Sequence, residues 1–498
     1  MSIDPLLSEH DALGLASLVR AGEVKSAELV EACIARATRL NPELNAIVTP
    51  MYDRAREEAR GDLPDGPFRG VPFFVKDLVQ PVAGVRFTRG SRFFEGDVAR
   101  HDSTLIRRYR AAGLVIVGKT NTPELGLTPF TEPVLHGACK NPWDPSRSTG
   151  GSSGGAGAVV AARIAPMAHG GDGGGSIRIP ASACGVFGMK PTRGRTAVGP
   201  DHSEGWGGLA VDHALTLSVR DSAALLDATC ALEVGAPYAA PAPVRSFLEA
   251  TRTPPGKLRI GVCRDPHLPS DPHPDVLAAL DDAAALCRDL GHEVDAIRLP
   301  IDPEAFAVDF TTLVATSTAA DVDEAGALLG KRPTHRDFET GTWVVAMLGR
   351  TFSGPALEAA RCRLQAMSRK VAEVQERWDV ILTPTLGAPP PRHGELQPKG
   401  AEAKMQEVIA RAHLEPILRI EPLVRAIAKK TFAFIPYTPL ANAAGLPSMS
   451  VPLHWSRDGM PIGSMFTGRF GDEVTLFSLA AQLEAARPWR GRRPRVAA

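Results

Sequence analysis

The stretch TLIRRYRAAGLVIVG, residues 104–118, reads as a helix-like half that turns through Gly113 into a short run of aliphatic, β-branched residues. Repeated helix-to-strand steps of this kind give an α/β sheet with helices on its faces. Working outward, VPFFV (71–75) supplies a similar β-rich run upstream. Downstream, LRIGVC, PDVLAALDDAAALCRDLG and HEVDAIRL (258–299) form a strand–helix–strand unit, followed by long helical stretches to about residue 377. DVILTPTL (379–386) reads as a buried strand, and APPPRHGELQP (388–398) as a loop. Toward the N-terminus, residues 8–21 and 26–39 carry apolar side chains at helical spacing, with Ser8 and Ser26 as N-caps. Residues 400–430 read as amphipathic helices outside the main rhythm, suited to a lid, an interface or a packed surface.

Composition narrows the function classes. The chain has 498 residues, 44% hydrophobic and 22% charged, which fits a globular protein with ample core. Lys plus Arg and Asp plus Glu both total 56, so no net field favours nucleic acid or an anionic membrane, and a small, largely uncharged partner fits better. The Arg-rich PWRGRRPRV (488–496) therefore reads as a surface tail. Seven scattered cysteines without CxxC spacing suggest buried thiols in a reducing cytosol. Neither an export signal nor a membrane span is read in the sequence. DPHLPSDPHPD (265–275) holds two His and several Asp, but its prolines give no frame to converge ligands, so a solvated loop is expected there instead of a metal site.

Two serines stand in chemically suggestive settings. GGSSG (150–154) matches the G-x-S-x-G elbow around Ser152, yet the preceding NPWDPSRST lacks the buried strand that an α/β-hydrolase elbow requires. In HGGDGGGSIRIP (169–180), five of the six residues before Ser176 are glycines. Backbone without side chains can aim successive amides at one oxygen, forming an oxyanion hole beside the Ser176 hydroxyl. A phosphate loop is the rival use, but the segment lacks the P-loop Lys and carries Asp172, which would repel phosphate.

A nucleophilic serine needs a base. No spacing singles out one of the 13 histidines, including His136 and His169. Lys76 ends the apolar run GVPFFVKD (70–77), where strand alternation points it away from Asp77. If buried there it would lose protons near neutrality, but from this segment alone the expectation is a strand-end lysine reaching solvent.

These segments together resemble the amidase signature family. The match comprises GVPFFVKD, GKTNTPE (118–124), NPWDPSRSTGGSSGGAGAVVAA (141–162), GGDGGGSIRIPASACGVFGMKPTRGR (170–195) and NAAGLPSMSVP (442–452), in order over most of the chain. The resemblance implies an α/β fold: one large α/β/α domain with a central mixed β-sheet covered by helices on both faces. Its parts would be an N-terminal helical segment (1–65), a signature core (66–215), an inserted lobe (about 216–430) and a C-terminal return to the core (431–498).

The resemblance further implies Ser176 as nucleophile, Ser152 as bridging serine on a cis Gly151–Ser152 peptide, and Lys76 as base. Oxyanion donors would come from Gly173, Gly174, Gly175 and Ser176, with Gly151, Ser153, Asp172 and Arg178 in support. Asn121, Leu127 and Gly150 are expected near the substrate. Within the family the chain looks most similar to amidases of nylon oligomers, which carry a polar Asn where this chain has Leu127. Family members usually have Thr or Ser at the position of Gly171 and often Thr or Ile at that of Gly173. No cofactor or metal is implied; the expected partners are a small amide and water, and a homodimer is expected from similar enzymes. Three functions follow: a stand-alone hydrolase of amides, carbamates or aryl esters; a glutaminase subunit of a tRNA-dependent amidotransferase; and a noncatalytic member of the fold.

Overall fold

A computed structural model describes residues 3–412, 414, 418 and 432–497. Eleven strands form one mixed sheet: β1 (Ile47–Pro50), β2 (Pro72–Lys76), β3 (Val115–Thr120), β4 (Met167–Asp172), β5 (Phe187–Lys190), β6 (Val211–Thr216), β7 (Arg259–Val262), β8 (Glu293–Ala296), β9 (Val380–Pro384), β10 (Ser448–Trp455) and β11 (Pro461–Gly468). Their order across the sheet is β1-β3-β2-β4-β6-β5-β10-β11-β9-β7-β8. β2 runs parallel to β3 and β4, and β7 parallel to β8 and β9, while the remaining pairs are antiparallel. Every residue of β2, β3, β6, β9 and β11 is buried, so packing covers both faces of the sheet and continuous apolar runs such as VPFFV become its centre.

The segment 104–118 folds as read: helix Thr104–Ala111, capped by Ser103, precedes β3. The strand–helix–strand unit becomes β7, helix Pro274–Asp289 and β8. This lobe is continuous with the main sheet, because β9 pairs with both β7 and β11.

Several local readings need correction. The expected helix 8–21 is broken into Leu6–Glu9 and Ala12–Arg20. Ser8 lies inside the first piece, and Asp11 caps the second by accepting the Gly14 N–H at 3.0 Å. Ser26 starts helix Ser26–Leu44 but donates its hydroxyl to Gly70 O, while Glu28 accepts the Lys25 N–H. The 265–275 loop is not fully solvated: His267 is buried beside Tyr437, and the His273 side chain caps helix Pro274–Asp289. Five cysteines are buried, but Cys230 is partly exposed and Cys362 is exposed. Of the 400–430 segment, Gly400–Ala412 is helical, and most of the rest lies outside the described residues. Among the described residues no helix is long and apolar enough to cross a membrane.

Candidate active site

Lys76 closes β2 with its side chain almost wholly out of water, at 2% exposure. Its Nζ lies 2.6 Å from Ser152 Oγ and 3.4 Å from Gly171 O. Burial pushes the amine down to about 8, against the opposing pull of Asp212 and Asp172. Strand alternation sends Asp77 the other way, where its carboxylate pairs with the buried Lys119 at 3.1 Å and accepts the Thr88 hydroxyl.

Ser152 sits in a tight bend ahead of helix Gly154–Ala161, with no strand before it, and its peptide with Gly151 is cis. A Cβ on Gly151 would lie 2.7 Å from Phe130 N, so only glycine permits this backbone approach. Ser153 ties the two serine segments together: its N–H donates to Ser176 O at 3.2 Å and its hydroxyl to Gly171 O at 3.2 Å.

Ser176 follows β4, half-buried, two residues before helix Arg178–Cys184. It lines the cavity described below, and among the described residues its hydroxyl has no hydrogen-bond partner, Ser152 included. The glycine loop is held from below. Asp172 accepts the N–H groups of Gly175 at 2.8 Å and Ile177 at 3.1 Å, and both its oxygens receive the Arg178 guanidinium. Burial works to raise the Asp172 pKa, but Arg178, Lys190 and Asn442 outweigh it and hold the carboxyl well below the usual carboxylate range. The Gly175 amide is thus engaged by Asp172 in this structure.

Two residues that sequence reasoning did not single out complete the loop's support. Thr438 donates its hydroxyl to Gly174 O at 2.7 Å. Asn442 donates to Asp172 O and Oδ1 and accepts Arg178 Nη2 at 2.6 Å. Asn442 opens NAAGLPSMSVP, so its place in a matched motif was the available signal.

The cavity beside Ser176 measures about 260 Å³ and is lined by Leu127, Phe130, Trp206, Phe310, Val345 and Ile435 among others. Trp206 and Phe310 lie directly over the glycine loop: a Cβ on Gly173 would meet Trp206 Cε3 at 3.0 Å, and one on Gly174 would meet Phe310 Cζ at 3.2 Å. The Trp206 indole N–H donates to Asp321, which burial raises to about 6. Glu339 also lines the wall, and burial, then the neighbouring Glu124, raises it to about 7, which reduces its charge near neutrality. Leu127 is in the wall, as expected. Asn121 and Gly150 are not: the Asn121 amide is buried against Asn45 O and Gly137 O, and Gly150 packs on Ile179 and Ala183.

Comparison with known proteins places the chain in a family. The profile of the Amidase family matches residues 28–419. The 6-aminohexanoate-cyclic-dimer hydrolase of Paenarthrobacter ureafaciens is 38% identical over 497 residues, covering 98% of this chain and 97% of its own. The enzyme of the same name from Pseudomonas sp. (strain NK87) is also 38% identical, with the same coverage. A solved structure of 6-aminohexanoate cyclic dimer hydrolase complexed with substrate superposes with a TM-score of 0.87 at 37% identity, over 98% of this chain and 99% of that one. The chain belongs to the amidase family and is an enzyme that hydrolyses amides.

Proposed function

We propose that the chain cleaves small hydrophobic or oligomeric amides, cyclic nylon-type oligomers among them, through an acyl-enzyme on Ser176. The observation that carries this reading is the buried Lys76 amine, 2.6 Å from Ser152 Oγ and brought down to about 8, beside a half-buried serine in an apolar cavity. When a carbonyl seats over the glycine loop, Ser176 Oγ closes on Ser152 Oγ; apo contacts of this kind commonly tighten only with substrate. Ser176 attacks the carbonyl carbon, its proton passes to Ser152, and the Ser152 proton passes to neutral Lys76. The tetrahedral oxyanion rests on the amides of Gly173, Gly174 and Ser176. The C–N bond then breaks as the relay returns a proton to the leaving amine, and water repeats the cycle on the acyl ester. Carbamates and aryl esters present the same carbonyl and leaving-group geometry and fall within the same chemistry.

The cavity's apolar wall favours this reading over a glutaminase subunit, whose substrate, glutamine, carries an ammonium and a carboxylate on its α-carbon that an apolar wall leaves without partners. Purified alone, the chain should turn over hydrophobic anilides and cyclic or linear 6-aminohexanoate oligomers. Turnover of glutamine as the sole good substrate would overturn the proposal. Light scattering on the same preparation tests the expected homodimer.

A further inference from the structure

Behind Lys76 lies a second polar chain that the proposed reaction does not use. His169 on β4 is fully buried, and its Nδ1 accepts the Lys76 backbone N–H at 3.2 Å. That bond leaves the ring proton on Nε2, which faces Asp212 Oδ1 on β6 at 3.0 Å. Burial, the largest influence on His169, lowers its pKa and keeps the ring neutral. The other Asp212 oxygen accepts Gln80 Nε2 at 3.0 Å, and Gln80 Oε1 accepts the Ser103 hydroxyl at 2.5 Å. All four side chains are buried, so water does not compete for these bonds.

The sheet register makes room for this pair. Gly171 lies directly opposite Asp212 in the β4–β6 ladder, and a Cβ on Gly171 would stand 2.6 Å from Asp212 Oδ1. Any side chain at 171 would therefore displace the carboxylate that holds His169. The chain's glycine at this position and its aspartate at 212 form a matched set.

Charge sets Asp212 apart. Two carboxylates act on the Lys76 amine, Asp212 first and then Asp172. Asp172 is bound through both oxygens by Arg178, whereas the side-chain partners of Asp212, His169 and Gln80, are neutral. Of the other groups near by, Lys119 on β3 is paired with Asp77, Tyr109 packs its ring on His169 with its hydroxyl kept protonated by burial, and burial keeps His213 neutral.

We propose that His169 and Asp212 are positioning residues for the base: His169 fixes the main chain at Lys76, and Asp212, paired across the ladder with the Gly171 whose carbonyl lies 3.4 Å from the amine, holds His169 and supplies an uncancelled counter-charge. The inference rests on the reading of Lys76 as base. Its test is the pH dependence of kcat/KM for an anilide, together with the pH dependence of Ser176 labelling by an aryl sulfonyl fluoride. A nearby carboxylate favours the protonated amine, so Asp212→Asn should move the rising limb of both profiles to lower pH by about one unit. His169→Leu should lower kcat about tenfold with little change in KM, and His169→Gln, which can still accept from Lys76 N–H and donate to Asp212, should recover most of that loss. Gln80→Met removes a donor from Asp212 and should move the limb the opposite way; it serves if Asp212→Asn does not fold. Limbs that stay in place in the folded variants would overturn the inference. The reading of the base fails separately, if Lys76→Ala still labels at neutral pH.

Discussion

At the scale of single residues, the chemistry turns on one amine. The reactive form of Lys76 is neutral, and with the amine at about 8 only about a tenth of it is deprotonated at pH 7. Activity is therefore expected to climb close to tenfold per pH unit below 7 and to level off above about 9, measured as kcat/KM on an uncharged anilide. Lys76→Arg, which cannot lose its proton, should be inactive across the range. Lys76, Ser152 and Ser176 are named together only through the resemblance of their motifs to a family; read alone, the Lys76 segment suits a strand-end lysine and GGSSG lacks its strand. The role of His169 was not legible, since Asp212, its partner, comes from a strand 43 residues away and meets it only through the β4–β6 register. The bond from the Gly175 amide to Asp172 was hidden for a similar reason, since it depends on how the loop folds back on itself.

At the scale of elements, the glycine loop is clamped by the short helix Pro439–Ala443 and the Thr438 before it. Asn442→Ala would leave Arg178 Nη2 short of an acceptor and Asp172 short of a donor, costing about 2 kcal/mol of stability in a denaturant titration. Because the loop it supports is the proposed oxyanion site, kcat should fall more than KM rises. Gly175→Ala is expected to be worse for catalysis: Gly175 has φ +125°, and its added Cβ would stand 2.4 Å from Thr438 Oγ1. The helix-to-strand step at 104–118 and the strand–helix–strand unit at 258–299 follow from hydrophobic period and were readable. The split of the N-terminal helix was less so, because the second piece receives its N-terminal anchor from Asp221, which accepts the Ala12 and Leu13 N–H groups across 209 and 208 residues.

At the scale of the whole molecule, Lys76 ends a strand of the sheet and Ser152 and Ser176 sit in a bend and a turn beside it, while the cavity is assembled from distant segments. Leu127, Trp206, Phe310, Val345 and Ile435 come from five separate parts of the chain, and no sequence window could show that they meet. The α/β class, by contrast, was visible in every helix-to-strand step. Since Phe310 lies over Gly174, Phe310→Ala should lower kcat/KM for aromatic anilides by about tenfold, while smaller aliphatic amides lose less. The most direct measurement is to quench the reaction of a slowly deacylating aryl ester in acid and map the labelled peptide by mass spectrometry. A single acyl group on Ser176, absent from Ser176→Ala and strongly reduced in Lys76→Ala, is the predicted result; an acyl group on Ser152, or one that persists in Ser176→Ala, would contradict it.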